Sequence, residues 1–173
     1  GFNNDIYLSL GQCKMCTPGR YAPNAASEIC TLCKEGKFGT DFLATSESSC
    51  RACSVGEYTP APGASKCLKC PSGSACPSNG TSEYTPCDRG SFNSYQGKAR
   101  CRLCPSGRYG PTEGAAVCEG CPKGKHYNGT GAIGVSQCID CPAGRYGDNA
   151  GLAMCSECPT GQYQSSVGQE KCK

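Results

Sequence analysis

Apolar residues other than cysteine are spread along this chain singly or in short groups separated by polar residues. No segment between two cysteines keeps the 3.6-residue period of an amphipathic helix. Glycine (24) and proline (12) are frequent among the 173 residues, and both favour turns over long elements. The pattern therefore predicts short, irregular β-hairpins with little or no helix.

The first twelve residues, 1–12, differ from the rest because they contain no cysteine. Residues 5–10 alternate between polar and apolar side chains, which predicts a strand contributed from an upstream region. The chain begins just before one cysteine pair and stops midway through another, at Cys172 and Lys173. We expect it to be a segment of a longer array, with a partner for Cys13 beyond one end.

Nineteen cysteines fall at regular intervals over residues 13–173. Pairs of the form Cys-x-x-Cys recur every 17 or 20 residues, with one step of 34 between Cys67 and Cys101. Within that step Tyr84 replaces one cysteine and Cys76 is additional. The spacing predicts a tandem array of nine repeats, here numbered 1 to 9 by their opening cysteines: Cys16, Cys33, Cys53, Cys70, Cys87, Cys104, Cys121, Cys141 and Cys158.

Each repeat has glycine at the third residue after its opening cysteine, which predicts a tight turn with positive φ. The fifth residue is aromatic in most repeats and His126 in repeat 7. We expect this side chain to begin a strand and to pack on a neighbouring disulfide, although an exposed row of carbohydrate-stacking rings is an alternative. A second glycine four residues before the closing cysteine predicts a second turn in most repeats, at Gly63, Gly80, Gly97, Gly114, Gly134, Gly151 and Gly168.

The cysteine content is typical of a secreted disulfide scaffold, and one crosslink per repeat can replace a hydrophobic core. Structural zinc is the alternative for Cys-x-x-Cys pairs. A single histidine and the unpaired positions of Cys76 and Cys87 favour disulfides. The sequons at Asn79 and Asn128 predict N-glycosylation and a secretory route.

Several function classes are disfavoured by the composition. The net charge of +3 is too small to indicate nucleic-acid binding, and no apolar stretch approaches the length of a membrane span. With His126 as the only histidine, no catalytic or metal-binding constellation is recognisable. We predict neither an enzyme nor a cofactor.

The motifs Cys104-Pro-Ser-Gly-Arg-Tyr, Cys141-Pro-Ala-Gly-Arg-Tyr and Cys158-Pro-Thr-Gly-Gln-Tyr resemble the ephrin-receptor-like cysteine-rich repeats of extracellular proteins. They are also similar to the first submodule of tumour necrosis factor receptor cysteine-rich domains. The resemblance covers Cys13 to Cys172. It implies an extracellular repeat architecture and leaves the function open, because such repeats occur in receptors, adhesion proteins and surface coats.

Two disulfide registers fit the spacing. In the crossed register, Cys13 joins Cys30, Cys16 joins Cys33 and so onward, with Cys76 joined to Cys87. In the self-closing register each repeat closes on itself, which matches the receptor submodule and gives Cys70 a partner in Cys76. We favour the second, with these pairs: Cys16–Cys30, Cys33–Cys50, Cys53–Cys67, Cys70–Cys76, Cys87–Cys101, Cys104–Cys118, Cys121–Cys138, Cys141–Cys155 and Cys158–Cys172.

The residue before the aromatic is basic in five repeats, which predicts a basic stripe at Arg20, Lys37, Arg108, Lys125 and Arg145. Such a stripe could meet an acidic glycan or protein, although a solvated face is the simpler interpretation. If each repeat contacts only its neighbours, the array is an extended rod. We expect a structural or adhesive segment of a larger secreted or surface protein, such as a stalk, coat or filament, whose partners are neighbouring repeats, copies of itself or a protein ligand. The alternative is a ligand-binding receptor ectodomain.

Overall fold

A computed structural model describes residues 15–24, 27 and 29–173; the strand predicted within residues 1–12 and Cys13 lie outside them. The described residues form two compact units. The first holds 76–83 and the described residues up to 69. Its three antiparallel hairpins pair β1 (Arg20–Tyr21) with β2 (Thr31–Leu32), β3 (Lys37–Phe38) with β4 (Arg51–Ala52), and β5 (Glu57–Tyr58) with β6 (Leu68–Lys69).

The second unit comprises 70–75 and 84–173 and contains five further antiparallel hairpins. They pair β7 (Ser74–Ala75) with β8 (Thr85–Pro86), β9 (Ser91–Phe92) with β10 (Arg102–Leu103), β11 (Arg108–Tyr109) with β12 (Glu119–Gly120), β13 (Lys125–His126) with β14 (Ile139–Asp140), and β15 (Arg145–Tyr146) with β16 (Ser156–Glu157). The described part of the chain has no α-helix, only 3₁₀ turns at Glu47–Ser49 and Val135–Gln137. The predicted array of short hairpins is confirmed.

A tight turn opens each hairpin, as the glycine pattern predicted. In repeat 6 the Arg108 N–H donates to the Pro105 carbonyl over 3.1 Å, and Gly107 between them has φ of 80°. Positive φ at this place is the requirement of a type II turn, and a side chain there would be strained. In all nine repeats the third residue after the opening cysteine is a glycine with positive φ.

Disulfides close eight of the nine repeats on themselves, as the self-closing register predicted. Eight bridges with Cα–Cα distances of 5.5–5.8 Å join the following pairs: Cys16–Cys30, Cys33–Cys50, Cys53–Cys67, Cys87–Cys101, Cys104–Cys118, Cys121–Cys138, Cys141–Cys155 and Cys158–Cys172. Cys70 and Cys76 are the two other bonded cysteines among the described residues.

The core consists mainly of these sulfur atoms. Apart from cysteines, the only apolar side chains buried in the described residues belong to Ala44, Ala75 and Ala132. The aromatics at the fifth position are half-buried, and Tyr163 is 64% exposed. The rings of repeats 1 to 3, 5, 6 and 8 lie in strands, as predicted, and they are only partly covered.

The buried position is the sixth residue after the opening cysteine, which the sequence analysis did not single out. A methyl group added to Gly110 would lie 3.1 Å from Cys104 Sγ, and one added to Gly147 would lie 3.2 Å from Cys141 Sγ. Thr59 and Asn93 at this position are 2% exposed each, whereas Tyr127 in repeat 7 is half-buried. In repeat 4 this residue is Cys76, which is also buried.

The second turn of repeats 2 to 9 keeps a fixed distance from the opening cysteine rather than from the closing one. In the long repeat 7 the residue of the second turn that has positive φ is Gly131, whereas Gly134 is extended, with a φ of −173°. The assignment of Gly134 to this turn was wrong, because the three extra residues of the long repeats follow the turn. The equivalent residue of repeat 2 is Leu43, whose φ is 59°.

Contacts between repeats extend further than the nearest neighbour. A methyl group on Gly107 of repeat 6 would lie 2.1 Å from the carbonyl oxygen of Gly151 in repeat 8. In the first unit, a methyl group on Gly19 of repeat 1 would lie 2.2 Å from the carbonyl oxygen of Gly63 in repeat 3. The expectation of purely nearest-neighbour contact was wrong, since glycine at both turns lets the backbones of alternate repeats approach.

Candidate interaction surface

Three of the five cations predicted to form a basic stripe are held by carboxylates. Lys37 lies 3.1 Å from Glu47 and Lys125 lies 2.6 Å from Asp140. Arg145 lies 2.5 Å from Glu157, its cross-strand partner. Side chains directly opposite in an antiparallel pair are close enough to interact. These pairs cancel much of the charge that the stripe was expected to present.

The other two predicted cations are placed differently. The Arg108 guanidinium donates over 3.0 Å to the Cys118 carbonyl, and Arg20 pairs with Leu32 across β1 and β2. Four of the five side chains therefore have a partner on their own hairpin, whereas the pairing of Arg20 with Leu32 is one of strand register. Because most of the predicted stripe is held by local partners, the sequence pattern alone does not make it a binding surface.

Two titrating groups respond to these hairpin contacts. The Lys37 ammonium donates a hydrogen bond to Glu47 and holds the pKa of that carboxyl below its usual value. A hydrogen bond to the Glu119 carboxylate raises the pKa of Tyr109, its cross-strand partner. Glu47 is exposed and Tyr109 is half-buried, and surface pairs of this kind contribute little to stability.

Both sequon asparagines are exposed. The Asn79 side chain accepts a hydrogen bond from the Val55 N–H through Oδ1 over 3.0 Å. Its Nδ2, the atom to which a glycan is attached, takes no part in that bond. Thr81 of the same sequon donates to the Ser78 carbonyl over 2.6 Å. The exposure of Asn79 and Asn128 leaves room for a glycan at each.

The single histidine lies against a disulfide. His126 Nδ1 is 3.3 Å from Cys155 Sγ, and together with Cys141 these ligand-type atoms lie within 4.8 Å of one another. Cys141 and Cys155 are bonded to each other, and a metal requires the thiolate rather than the disulfide form. His126 therefore occupies the aromatic position of its repeat beside the next bridge.

A cluster of cations that the sequence analysis did not single out lies in repeat 5. Arg89, Lys98, Arg100 and Arg102 are all exposed. Two of them lie over rings, Lys98 at 5.8 Å from the Tyr95 centroid and Arg102 at 6.0 Å from that of Phe92. Counting charge repeat by repeat, rather than at one position across repeats, would have found it.

The second unit matches a family model described as tyrosine-protein kinase ephrin type A/B receptor-like, over residues 90–138 and 144–173. These stretches are similar to ephrin receptor-like repeats. The predicted resemblance is confirmed there. No curated protein matches the chain.

The family match and the disulfides together point to an extracellular, receptor-type repeat region. Among the described residues there is no helix with the length and apolar character that crossing a membrane requires.

Proposed function

We propose that this chain is a structural or adhesive repeat region of a secreted or surface protein, extended by the addition of equivalent repeats. The observation that carries the proposal is the recurrence of one set of backbone hydrogen bonds between successive repeats. The N–H of the turn glycine donates to a carbonyl of the next repeat, that of the sixth residue after its opening cysteine. The distances are 2.7 Å for Gly107 to Tyr127, 2.9 Å for Gly124 to Gly147 and 2.7 Å for Gly144 to Gln164.

A second bond recurs in the same way. The Gly131 N–H donates over 2.8 Å to the carbonyl of Cys104, the opening cysteine of the preceding repeat, and the Gly151 N–H donates over 2.8 Å to that of Cys121. Because every repeat offers the same donors and acceptors to the next, one interface serves the whole array. A stalk or coat requires this property, whereas a ligand pocket requires a unique surface.

A non-catalytic role agrees with the use of the buried polar side chains. Ser74 and Ser91 donate over 2.7 Å to the carbonyls of Pro71 and Asp88. Asn93 donates to the carbonyls of Ser74 and Arg100. These groups stabilise turns and neighbouring strands, as expected of structural polar residues.

Small-angle scattering tests the extended arrangement. A compact domain of this length has a radius of gyration of about 16 Å, and we expect the oxidised chain to exceed it clearly. A variant that lacks residues 104–120, one complete repeat, should stay folded and have a smaller radius. A compact value for the parent chain, or unfolding of the shortened one, would contradict the proposal.

The second candidate is a ligand-binding ectodomain of a cell-surface receptor, which the receptor-like family match favours. Beads coated with the chain distinguish the two functions. Beads should cluster if copies of the chain adhere to one another, and the clustering should be lost on reduction of the disulfides. Dispersed beads, together with saturable binding of the soluble chain to cells, would favour the receptor.

A further inference from the structure

Repeat 5 carries an excess of positive charge equal to that of the whole chain. Residues 87–103 contain four cations, Arg89, Lys98, Arg100 and Arg102, against one acid, Asp88. The resulting net charge of +3 equals the +3 of all 173 residues, so the remainder of the chain is neutral. A local excess of this kind creates a positive potential that a neutral surface lacks.

Three of the cations lie close together on one segment and are exposed. Lys98, Arg100 and Arg102 are exposed, whereas the intervening Ala99 and Cys101 are half-buried. The Cys87–Cys101 disulfide fixes the segment in its middle. Arg102 is further fixed by its place in β10, opposite Phe92. The segment therefore presents a row of exposed cations along the sequence, and the disulfide and β10 hold its backbone in place.

Aromatic rings position the two ends of this row. The Lys98 ammonium lies 5.8 Å from the Tyr95 ring centroid and the Arg102 guanidinium 6.0 Å from that of Phe92, distances at which a cation is attracted to a ring face. Tyr95 is 72% exposed. An exposed ring beside ordered cations offers an apolar face as well as charge.

These cations differ from those of the predicted stripe in their electrostatic partners. Lys37, Lys125 and Arg145 have carboxylates within 3.1 Å. Within the described part of the chain, the four cations of repeat 5 form no salt bridge, and Arg89 donates only to the Ile133 carbonyl. Their charge is therefore available to an external anion.

We propose that repeat 5 binds a sulfated glycosaminoglycan through Lys98, Arg100 and Arg102, with Tyr95 packing against a sugar ring. Guanidinium groups suit planar, bidentate contacts with oxyanions, and a row of cations matches a repeating polyanion. The inference deepens the proposed adhesive role and rests on it.

The test is binding of a heparin oligosaccharide, measured by calorimetry in about 0.15 M salt, where charges more than about 8 Å apart are largely screened. The variant K98Q/R100Q/R102Q should bind at least ~10-fold more weakly, because each lost contact is charge-assisted. The control variant K37Q/K125Q/R145Q removes the same three charges and should bind within ~2-fold of the parent, because those cations already have partners. Tyr95→Ala should weaken binding without a change in charge.

Equal weakening by both triple variants would overturn the proposal, since it would show attraction by net charge alone. Failure of the parent chain to bind in about 0.15 M salt, or equal binding of polyglutamate, would overturn it as well. Unchanged disulfide-linked peptide maps establish that the variants are folded. Small-angle scattering tests the extended shape of the array independently of glycan binding. An extended chain that does not bind heparin would refute the glycan site and leave the proposed structural role intact.

Discussion

Replacing Gly107 or Gly144 by alanine separates the cost of backbone strain from the cost of a clash between repeats. Each glycine is the third residue after the opening cysteine of its repeat, and each has a φ of 80°. A methyl group on Gly107 would lie 2.1 Å from Gly151 O, 2.6 Å from Gly151 C and 2.9 Å from Leu152 C. A methyl group on Gly144 would have no atom within 4 Å. The pair therefore differs only in what the new side chain meets.

The expected magnitudes follow from these distances. Left-handed backbone costs an alanine roughly 1–2 kcal/mol in either variant. Gly→Ala also restricts the unfolded chain by roughly 0.4–1 kcal/mol in both, and this term cancels in the comparison. Gly107→Ala must in addition displace backbone atoms, which costs roughly 1–3 kcal/mol. We expect Gly107→Ala to be the less stable variant by that last amount.

Guanidinium unfolding of the oxidised variants gives the difference in free energy of unfolding, and amide hydrogen exchange gives its location. Gly107→Ala should reduce protection at the Gly151 N–H, bonded to Cys121 O, and at the Tyr127 N–H, bonded to Leu152 O. Gly144→Ala should leave both amides protected. Equal destabilisation of the two variants, or protection unchanged at Gly151, would refute the contact between repeats 6 and 8.

Further predictions concern other single positions. Leu43→Gly should stabilise the chain by roughly 1 kcal/mol in thermal unfolding, because Leu43 has a φ of 59° and stays 60% exposed; a loss of stability would contradict this. A disulfide map should find Cys70 joined to Cys76, whereas a Cys76–Cys87 peptide would support the crossed register. Removing the Cys70–Cys76 crosslink should lower the free energy of unfolding by about 2 kcal/mol, against about 3 kcal/mol for a crosslink that closes a 14-residue loop. Asn79 and Asn128 should carry N-glycans after secretory expression, detected by mass spectrometry with glycosidase treatment; unmodified asparagine at both would also weigh against a secretory route.

Local requirements could be predicted from the sequence because each repeats many times. Nine glycines at one spacing indicate a turn with positive φ, and the structure has it in every repeat. The same repetition misled the alignment of the long repeats, since counting back from Cys138 selected Gly134 instead of Gly131. The turn depends on the backbone that follows the opening cysteine, so inserted residues downstream do not move it.

The candidate site was predicted less well than the fold. The sequence pattern selected cations at one repeat position, but side-chain partners decide whether a charge is available. Lys125 has Asp140 opposite it in β14, and Arg145 has Glu157 opposite it in β16. In repeat 5 the residue opposite Arg102 is Phe92 instead, which orients the cation without cancelling its charge.

The sequence by itself determined the disulfide-rich array, the turn glycines and the resemblance to ephrin receptor-like repeats, because these depend on residue type and spacing along the chain. Only the tertiary structure decided that the sixth residue after the opening cysteine is buried in most repeats and that the turn of repeat 6 meets the second glycine of repeat 8. Both depend on how successive hairpins stack. Spacing along the chain does not fix the direction in which one hairpin follows another, whereas a backbone contact between alternate repeats depends on it.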